Sequence, residues 1–243
     1  MDTRVIAKLD YKHPYVVKPR QFEGLRKIGS LTSLGVHYQT QGVDELFVSD
    51  IVASLYQRNF LTYELEKMRD KISIPVTVGG GVKSLDDAIS LLQAGADKVA
   101  INTACFETGY SLLTSLAERF GSQATVLQVD VKKRKRWYEC YTDGGRNPTG
   151  HELSSHLISA VEAGAGEIFV QSVDNDGLMM GFDLELAKLA NRCVKVPVVI
   201  GSGAGNSAHV LKLLSNTDVH GIMIASAFHY NRLTVTELKS NFV

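Results

Sequence analysis

The sequence is poor in cysteine, carries no net charge and has no long apolar run. Its three cysteines, Cys105, Cys140 and Cys193, are scattered over 243 residues with no C-x-x-C pair. An odd, unpatterned set of thiols excludes a disulfide framework and a structural zinc ribbon, and fits a reducing compartment. Lys plus Arg and Asp plus Glu each total 26, for a formal net charge of zero. That excludes the strongly basic balance of a dedicated nucleic-acid or membrane-surface protein. No apolar stretch reaches the ~18 residues of a membrane-spanning helix. The opening MDTRVIAKLDYKH has no signal-type apolar segment. A cytoplasmic protein with neither nucleic-acid nor membrane partners is expected. The seven histidines lack metal-ligand spacing, and no serine nucleophile elbow is present. No metal and no cofactor is expected.

What the chain does have is alternation. Eight short runs rich in Val, Ile and Phe recur: Val5–Leu9, Glu45–Ser49, Pro75–Val78, Lys98–Ile101, Thr125–Val129, Glu167–Gln171, Pro197–Ile200 and Gly221–Ile224. Between them lie stretches such as Ser84–Ala94, Tyr110–Phe120 and Glu152–Ala163, whose apolar residues recur at three- and four-residue spacing. Strand-then-helix units in series imply parallel strands with helical crossovers. Eight units in this length predict a closed (β/α)8 barrel. The competing open, doubly wound sheet usually carries a G-x-G-x-x-G turn after its first strand, and none stands there.

An internal repeat supports the barrel. IPVTVGGG at 74–81 resembles VPVVIGSG at 196–203, and Glu45–Val48 resembles Glu167–Val170, both at a shift of 122 positions. Asn102-Thr103 corresponds to Ala225-Ser226, and Asp10 to Asp130, at shifts of 123 and 120. Two duplicated half-barrels, about 1–122 and 123–243, are expected to form a single barrel domain.

Chemistry in such barrels gathers at the C-terminal ends of the strands. Asp10 and Asp130 end strands 1 and 5, on opposite sides of an eight-stranded ring. Such a pair suits general acid and base work on a substrate between them. Glycine-rich turns follow strands 3 and 7, GGGVKS at 79–84 and GSGAGNS at 201–207, each leading into a helix start. Glycines let backbone amides approach a ligand, and helix N-termini attract anions. With Asn102-Thr103 and Ala225-Ser226 beside them, Gly81 and Gly203 predict two phosphate cradles and an elongated bisphosphate. Asp176-Gly177 after strand 6 reads as a ligand contact or an Asx turn. Lys18 falls in a long loop after strand 1, as a phosphate clamp on a lid or as a solvated lysine. The basic run KKRKR at 132–136 reads as a hairpin extending strand 5.

These residues together resemble the cyclase subunit of imidazole glycerol phosphate synthase, over essentially the whole chain. The resemblance rests on LD at 9–10, VVK at 16–18, DEL at 44–46, TVGGGVKS at 77–84, AGADKVAINT at 94–103, FGSQ at 120–123, TGHEL at 149–153, GAGEI at 164–168, SVDNDG at 172–177, GSGAG at 201–205 and ASAFH at 225–229. It implies a barrel that takes ammonia from a glutaminase partner on its N-terminal face. The ammonia is condensed with a bisphosphorylated ribulosyl aminoimidazole, as in histidine biosynthesis. The family's two catalytic aspartates match Asp10 and Asp130. Its phosphate ligands map to Gly81, Asn102 and Thr103 in one half and to Gly177, Gly203, Ala225 and Ser226 in the other. Its mobile-loop lysine matches Lys18. A charged ring gating ammonia entry matches Arg4, Glu45, Lys98 and Glu167, and Asp97 falls on the docking face.

The chain departs from that pattern in a cluster. Lys8 stands where the family has a small apolar residue or Cys, Gln171 replaces a smaller residue, and Ser49 an apolar one. Side chains alternate along a strand, so Lys8 points with Asp10 and Gln128 with Asp130. A buried ammonium is costly unless paired. A polar layer beneath the carboxylates is therefore expected, with Lys8 bonded to one of them. Pro19, Leu178 and the order Gly201-Ser202 also differ. These changes motivate an alternative, a paralogue delivering ammonia to a sugar in surface-polysaccharide synthesis; a third reading, a non-catalytic barrel that binds its partner, has the retention of both aspartates against it.

Overall fold

The computed structural model describes residues 3–20, 23–52 and 60–240. In chain order come β1 (Arg4–Lys12), β2 (Tyr15–Arg20), β3 (Glu23–Gly29), α1 (Leu31–Thr40), β4 (Glu45–Asp50), α2 (Phe60–Arg69), β5 (Val76–Gly79), α3 (Leu85–Gln93) and β6 (Lys98–Ile101). Then follow α4 (Thr103–Thr108), α5 (Ser111–Phe120), β7 (Thr125–Lys133), β8 (Tyr138–Thr142), β9 (Asn147–Glu152), α6 (Leu153–Glu162) and β10 (Glu167–Ser172). The chain continues with α7 (Leu184–Cys193), β11 (Val198–Gly201), α8 (Ser207–Leu214), β12 (Gly221–Ile224), α9 (Ser226–His229) and α10 (Val235–Ser240). Eight strands pair in parallel as β1-β4-β5-β6-β7-β10-β11-β12, and β12 pairs back onto β1. The ring is closed, so the expected (β/α)8 barrel forms. No described helix is long and apolar enough to cross a membrane.

The strands read with a period of two. Val5, Ala7, Leu9 and Tyr11 point outward into the large apolar layer beneath the helices. Ile6 points into the bore, where it meets Phe47, Ala100, Val126, Phe169, Val199 and Met223. The rings of Phe47 and Phe169 cross edge to face at 5.2 Å, a favoured aromatic geometry. Helix starts are set locally. Ser84 and Asp87 form a reciprocal capping box on α3, Asp183 caps α7 and Asn206 caps α8.

Two strands run further than their apolar pattern predicts. Asp10 and Asp130 lie inside β1 and β7, not at their ends. Each strand continues as an antiparallel hairpin, with Asp10 opposite Val17 and Asp130 opposite Tyr141. Ladder pairing holds polar residues in extended backbone that a hydrophobic count does not register. The same hairpins correct the placement of Lys18, which stands in strand β2 and not in a long loop.

Candidate active site

The bore is layered, and each layer follows from a two-residue step along the strands. At the N-terminal end Arg4 Nη1 donates to Glu45 Oε2 at 2.6 Å, and its other terminal nitrogen reaches Glu167. Lys98 Nζ bridges Glu45 Oε2 at 3.0 Å and Glu167 Oε2 at 2.7 Å. Thr77 adds a hydroxyl to Glu45 at 2.5 Å. The four residues of the expected charged ring thus close on one another with alternating sign. Asp97 accepts from the Val76 amide at 2.8 Å and pairs with Arg69 at 3.5 Å, bracing the strand end.

The apolar layer of Phe47 and Phe169 comes next. Above it the two-residue step brings Lys8, Ser49, Gln128 and Gln171, all buried. Lys8 Nζ stands 2.8 Å from Asp10 Oδ1, which is the pairing that a buried ammonium requires. Lys18 Nζ lies 3.4 Å from Asp10 Oδ2 and 3.0 Å from Asp176 Oδ2. Its second bond to Asp176, at 3.1 Å, makes that contact two-pronged. Lys18 is therefore a buried clamp, because two carboxylates compensate its desolvation.

Asp130 has different company. Asn102 Nδ2 donates to its Oδ2 at 3.0 Å and Gln171 Nε2 to its Oδ1 at 3.1 Å. Both donors are neutral. Burial pushes the Asp130 carboxyl up to about 6, against the opposing pull of Lys8. Burial would also raise Asp10, but Lys8 and Lys18 outweigh it and hold that carboxyl below its ordinary value. Lys8 itself is desolvated, yet Asp10, Asp176 and Asp130 keep it above the usual lysine value. One carboxylate is thus held ionised and its partner holds a proton more readily. That is the split an acid–base pair needs.

The candidate ligand residues gather as two cavities that share Lys8 in their walls. One cavity is bordered by Asp10, Asp130, Ser49, Gly81, Asn102 and Thr103. A smaller one is bordered by Gln171, Asp176, Gly177, Gly203, Ala225 and Ser226. Lys18 faces an outer recess together with Gly177 and Ser226. The glycine turns are needed for close approach of backbone. A Cβ on Gly80 would lie 2.1 Å from the Asp50 carbonyl oxygen, and one on Gly203 2.1 Å from that of Gly181. Ser202, at φ 77°, takes the left-handed place that Gly80 fills in the other half at φ 96°.

In α3 and α8, which follow the glycine turns, a side-chain cap takes up the amide of Asp87 and of His209 respectively. The short helices α4 and α9 begin at Asn102 and Ala225 with no side-chain cap, and nearly the same backbone at both positions (φ −124° and −125°). Their unpaired first amides lie beside Gly81 and Gly203. Sequence reading missed two neighbours. His229 contributes to the field at Asp10, and burial lowers it to about 4. Arg146 borders the Gly81 cavity from the β8–β9 hairpin, which also donates the Asp143 amide to Thr103 Oγ1 at 3.3 Å. The basic run before that hairpin signalled the turn and gave no hint that its tip returns to the cavity. Among the described residues no group of three or more His, Cys, Asp or Glu is arranged to hold a metal.

Comparison with known proteins agrees with this geometry. The sequence model of the family described as "Histidine biosynthesis protein" matches residues 4–234. Imidazole glycerol phosphate synthase subunit HisF of Bacillus subtilis (strain 168) is 41% identical over 239 residues, covering 98% of this chain and 94% of its own. The HisF subunit of Pyrococcus furiosus is 38% identical over 236 residues, 97% of this chain and 93% of its own. That of Legionella pneumophila is 44% identical over 206 residues, 84% and 96% respectively. A family model spanning nearly the whole barrel, together with relatives near 40% identity across it, places this chain in the histidine biosynthesis protein family, among the HisF subunits.

Proposed function

We propose that this protein is the ammonia-using cyclase subunit of an imidazole glycerol phosphate synthase. It condenses ammonia with a bisphosphorylated ribulosyl aminoimidazole carboxamide, giving imidazole glycerol phosphate and aminoimidazole carboxamide ribotide. Asp10 and Asp130 move the protons. Gly81, Asn102 and Thr103 hold one phosphate; Gly177, Gly203, Ala225 and Ser226 hold the other, with Lys18 clamped on Asp176 beside them. A glutaminase partner docks over the charged ring of Arg4, Glu45, Lys98 and Glu167 and supplies ammonia at that end. One barrel domain, doubled from halves at about 1–122 and 123–243, carries all of it in the cytoplasm.

What supports this reading is the pairing of two unlike carboxylates with two glycine-lined cavities that share Lys8 in their walls. Ring closure and bond cleavage both require a proton delivered and a proton removed within reach of one bound molecule. Asp130, poised near 6, suits delivery, and Asp10, held ionised, suits removal. The test is turnover of the purified chain with ammonium salt and the bisphosphorylated substrate at high pH, followed by loss of substrate absorbance. Absence of turnover by folded protein would refute it. A second reading is favoured by the Lys8–Ser49–Gln128–Gln171 layer: a related barrel whose ammonia goes to a sugar acceptor. Turnover of such a sugar and none of the aminoimidazole would select it.

A further inference from the structure

The two carboxylates are treated differently by their neighbours, and the difference traces to one residue. Asp10 faces ammonium groups at 2.8 Å from Lys8 and 3.4 Å from Lys18. Asp130 faces the carboxamides of Asn102 and Gln171. Lys18 is shared, with its shorter contacts to Asp176. Lys8 is thus the nearer cation. It stands two residues before Asp10 on the same strand, so the pleat alone aims both side chains into the bore. Lys8 also borders both cavities, so a ligand reaching from Gly81 to Gly203 passes the Lys8–Asp10 pair.

We propose that Lys8 is a positioning residue that locks Asp10 as the permanently ionised member of the pair and so assigns proton delivery to Asp130. This deepens the acid–base reading given above and rests on it. The charged and titratable groups facing Asp10 come from five elements. Lys8 is on its own strand, Lys18 on β2, Asp176 in the turn after β10, Asp130 on β7 and His229 on α9. His229 is neutral above pH ~5, because burial lowers it to about 4. The cations that oppose burial at Asp10 through the working range are therefore Lys8 and Lys18. Removing Lys8 leaves the more distant and shared one.

The test is a carboxyl-carbon NMR titration of the full chain labelled at aspartate, with Asp10→Asn and Asp130→Asn to assign the two signals. In the parent protein Asp130 is expected to titrate near 6, with Asp10 ionised to well below the ordinary carboxylate range. In Lys8→Met the Asp10 midpoint should rise by more than one pH unit, and Lys8→Arg should restore it. An unmoved Asp10 midpoint in folded Lys8→Met would overturn the proposal. So would an Arg variant displaced as far as the Met variant, since packing and not charge would then be responsible. Should Lys8→Met fail to fold by circular dichroism, Lys8→Gln is read by the same criteria. In the ammonium-dependent assay Lys8→Met should lower kcat at least tenfold and move the acid limb of the pH profile upward. The titration needs no substrate, so loss of the cyclase reading and loss of the Lys8 proposal remain separate results.

Discussion

Replacing Asp130 with Asn should make the protein inactive and more stable, with the gain confined to neutral and alkaline pH. Asp130 is buried and its carboxyl is raised from 3.8 to about 6. Between those values the folded chain binds a proton that the unfolded chain has released. Stability from this group is therefore highest below pH ~4 and falls as pH rises to ~6. At ~1.36 kcal/mol per pH unit, the ionised form costs ~3 kcal/mol above that window. Protonated Asp and neutral Asn both present one accepting and one donating edge to Asn102 and Gln171. The two proteins should accordingly match at pH 4, and the Asn variant should lead by ~3 kcal/mol at pH 8. For a chain of this size that is a rise in Tm of ~6–12 °C. Urea denaturation of both proteins at pH 4 and pH 8 reads the difference directly, since all other carboxylates cancel. An equal offset at both pH values, or an Asn variant less stable at pH 8, would refute the placement of a strained carboxylate at this site.

Other expectations follow from the packing. Phe47→Ala removes one ring of the edge-to-face pair in the bore and should cost ~3–5 kcal/mol in urea titration. Glu45→Ala leaves Arg4 and Lys98 short of a buried counter-charge and should cost ~3–5 kcal/mol. Because the ring is largely shielded, that loss should change little between low salt and 0.5 M salt. Gly203→Ala forces a Cβ onto the Gly181 carbonyl. It should weaken protection of the chain by inorganic phosphate or a bisphosphate at least tenfold in thermal shift, while Ser202→Gly, which relieves a left-handed serine, should raise stability by ~1 kcal/mol.

Most of the architecture could be read from the residues because a parallel barrel buries both faces of its strands. That burial writes apolar runs such as Lys98–Ile101 and Gly221–Ile224 into the chain. The inward direction of Lys8 follows from the two-residue pleat, and its bond to a carboxylate from the cost of burying an unpaired ammonium. Lys18 was misplaced because YVVKPR owes its extended shape to partners on β1 and β3, not to its own composition. The helix starts at Asn102 and Ala225 carry no helical signal of their own. α4 and α9 are six and four residues long, too short to show a helical period, while the glycine turns announce the longer helices. The carboxamides on Asp130 come from 28 and 41 residues away. Pairing of β7 with its two neighbours, β6 and β10, brings them there.

Asp10 is stitched between Ser49 and Val17, and Asp130 between Gln171 and Tyr141. A backbone laddered on both sides has little freedom to swing toward an arriving molecule. The spacing of the two acids is therefore built at folding and does not wait for a loop to shut. Ligand capture can alter protonation and side-chain contacts around them while the scaffold stays still. New acceptor chemistry would then arise by exchanging single side chains on a fixed rim, without redesign of any moving part.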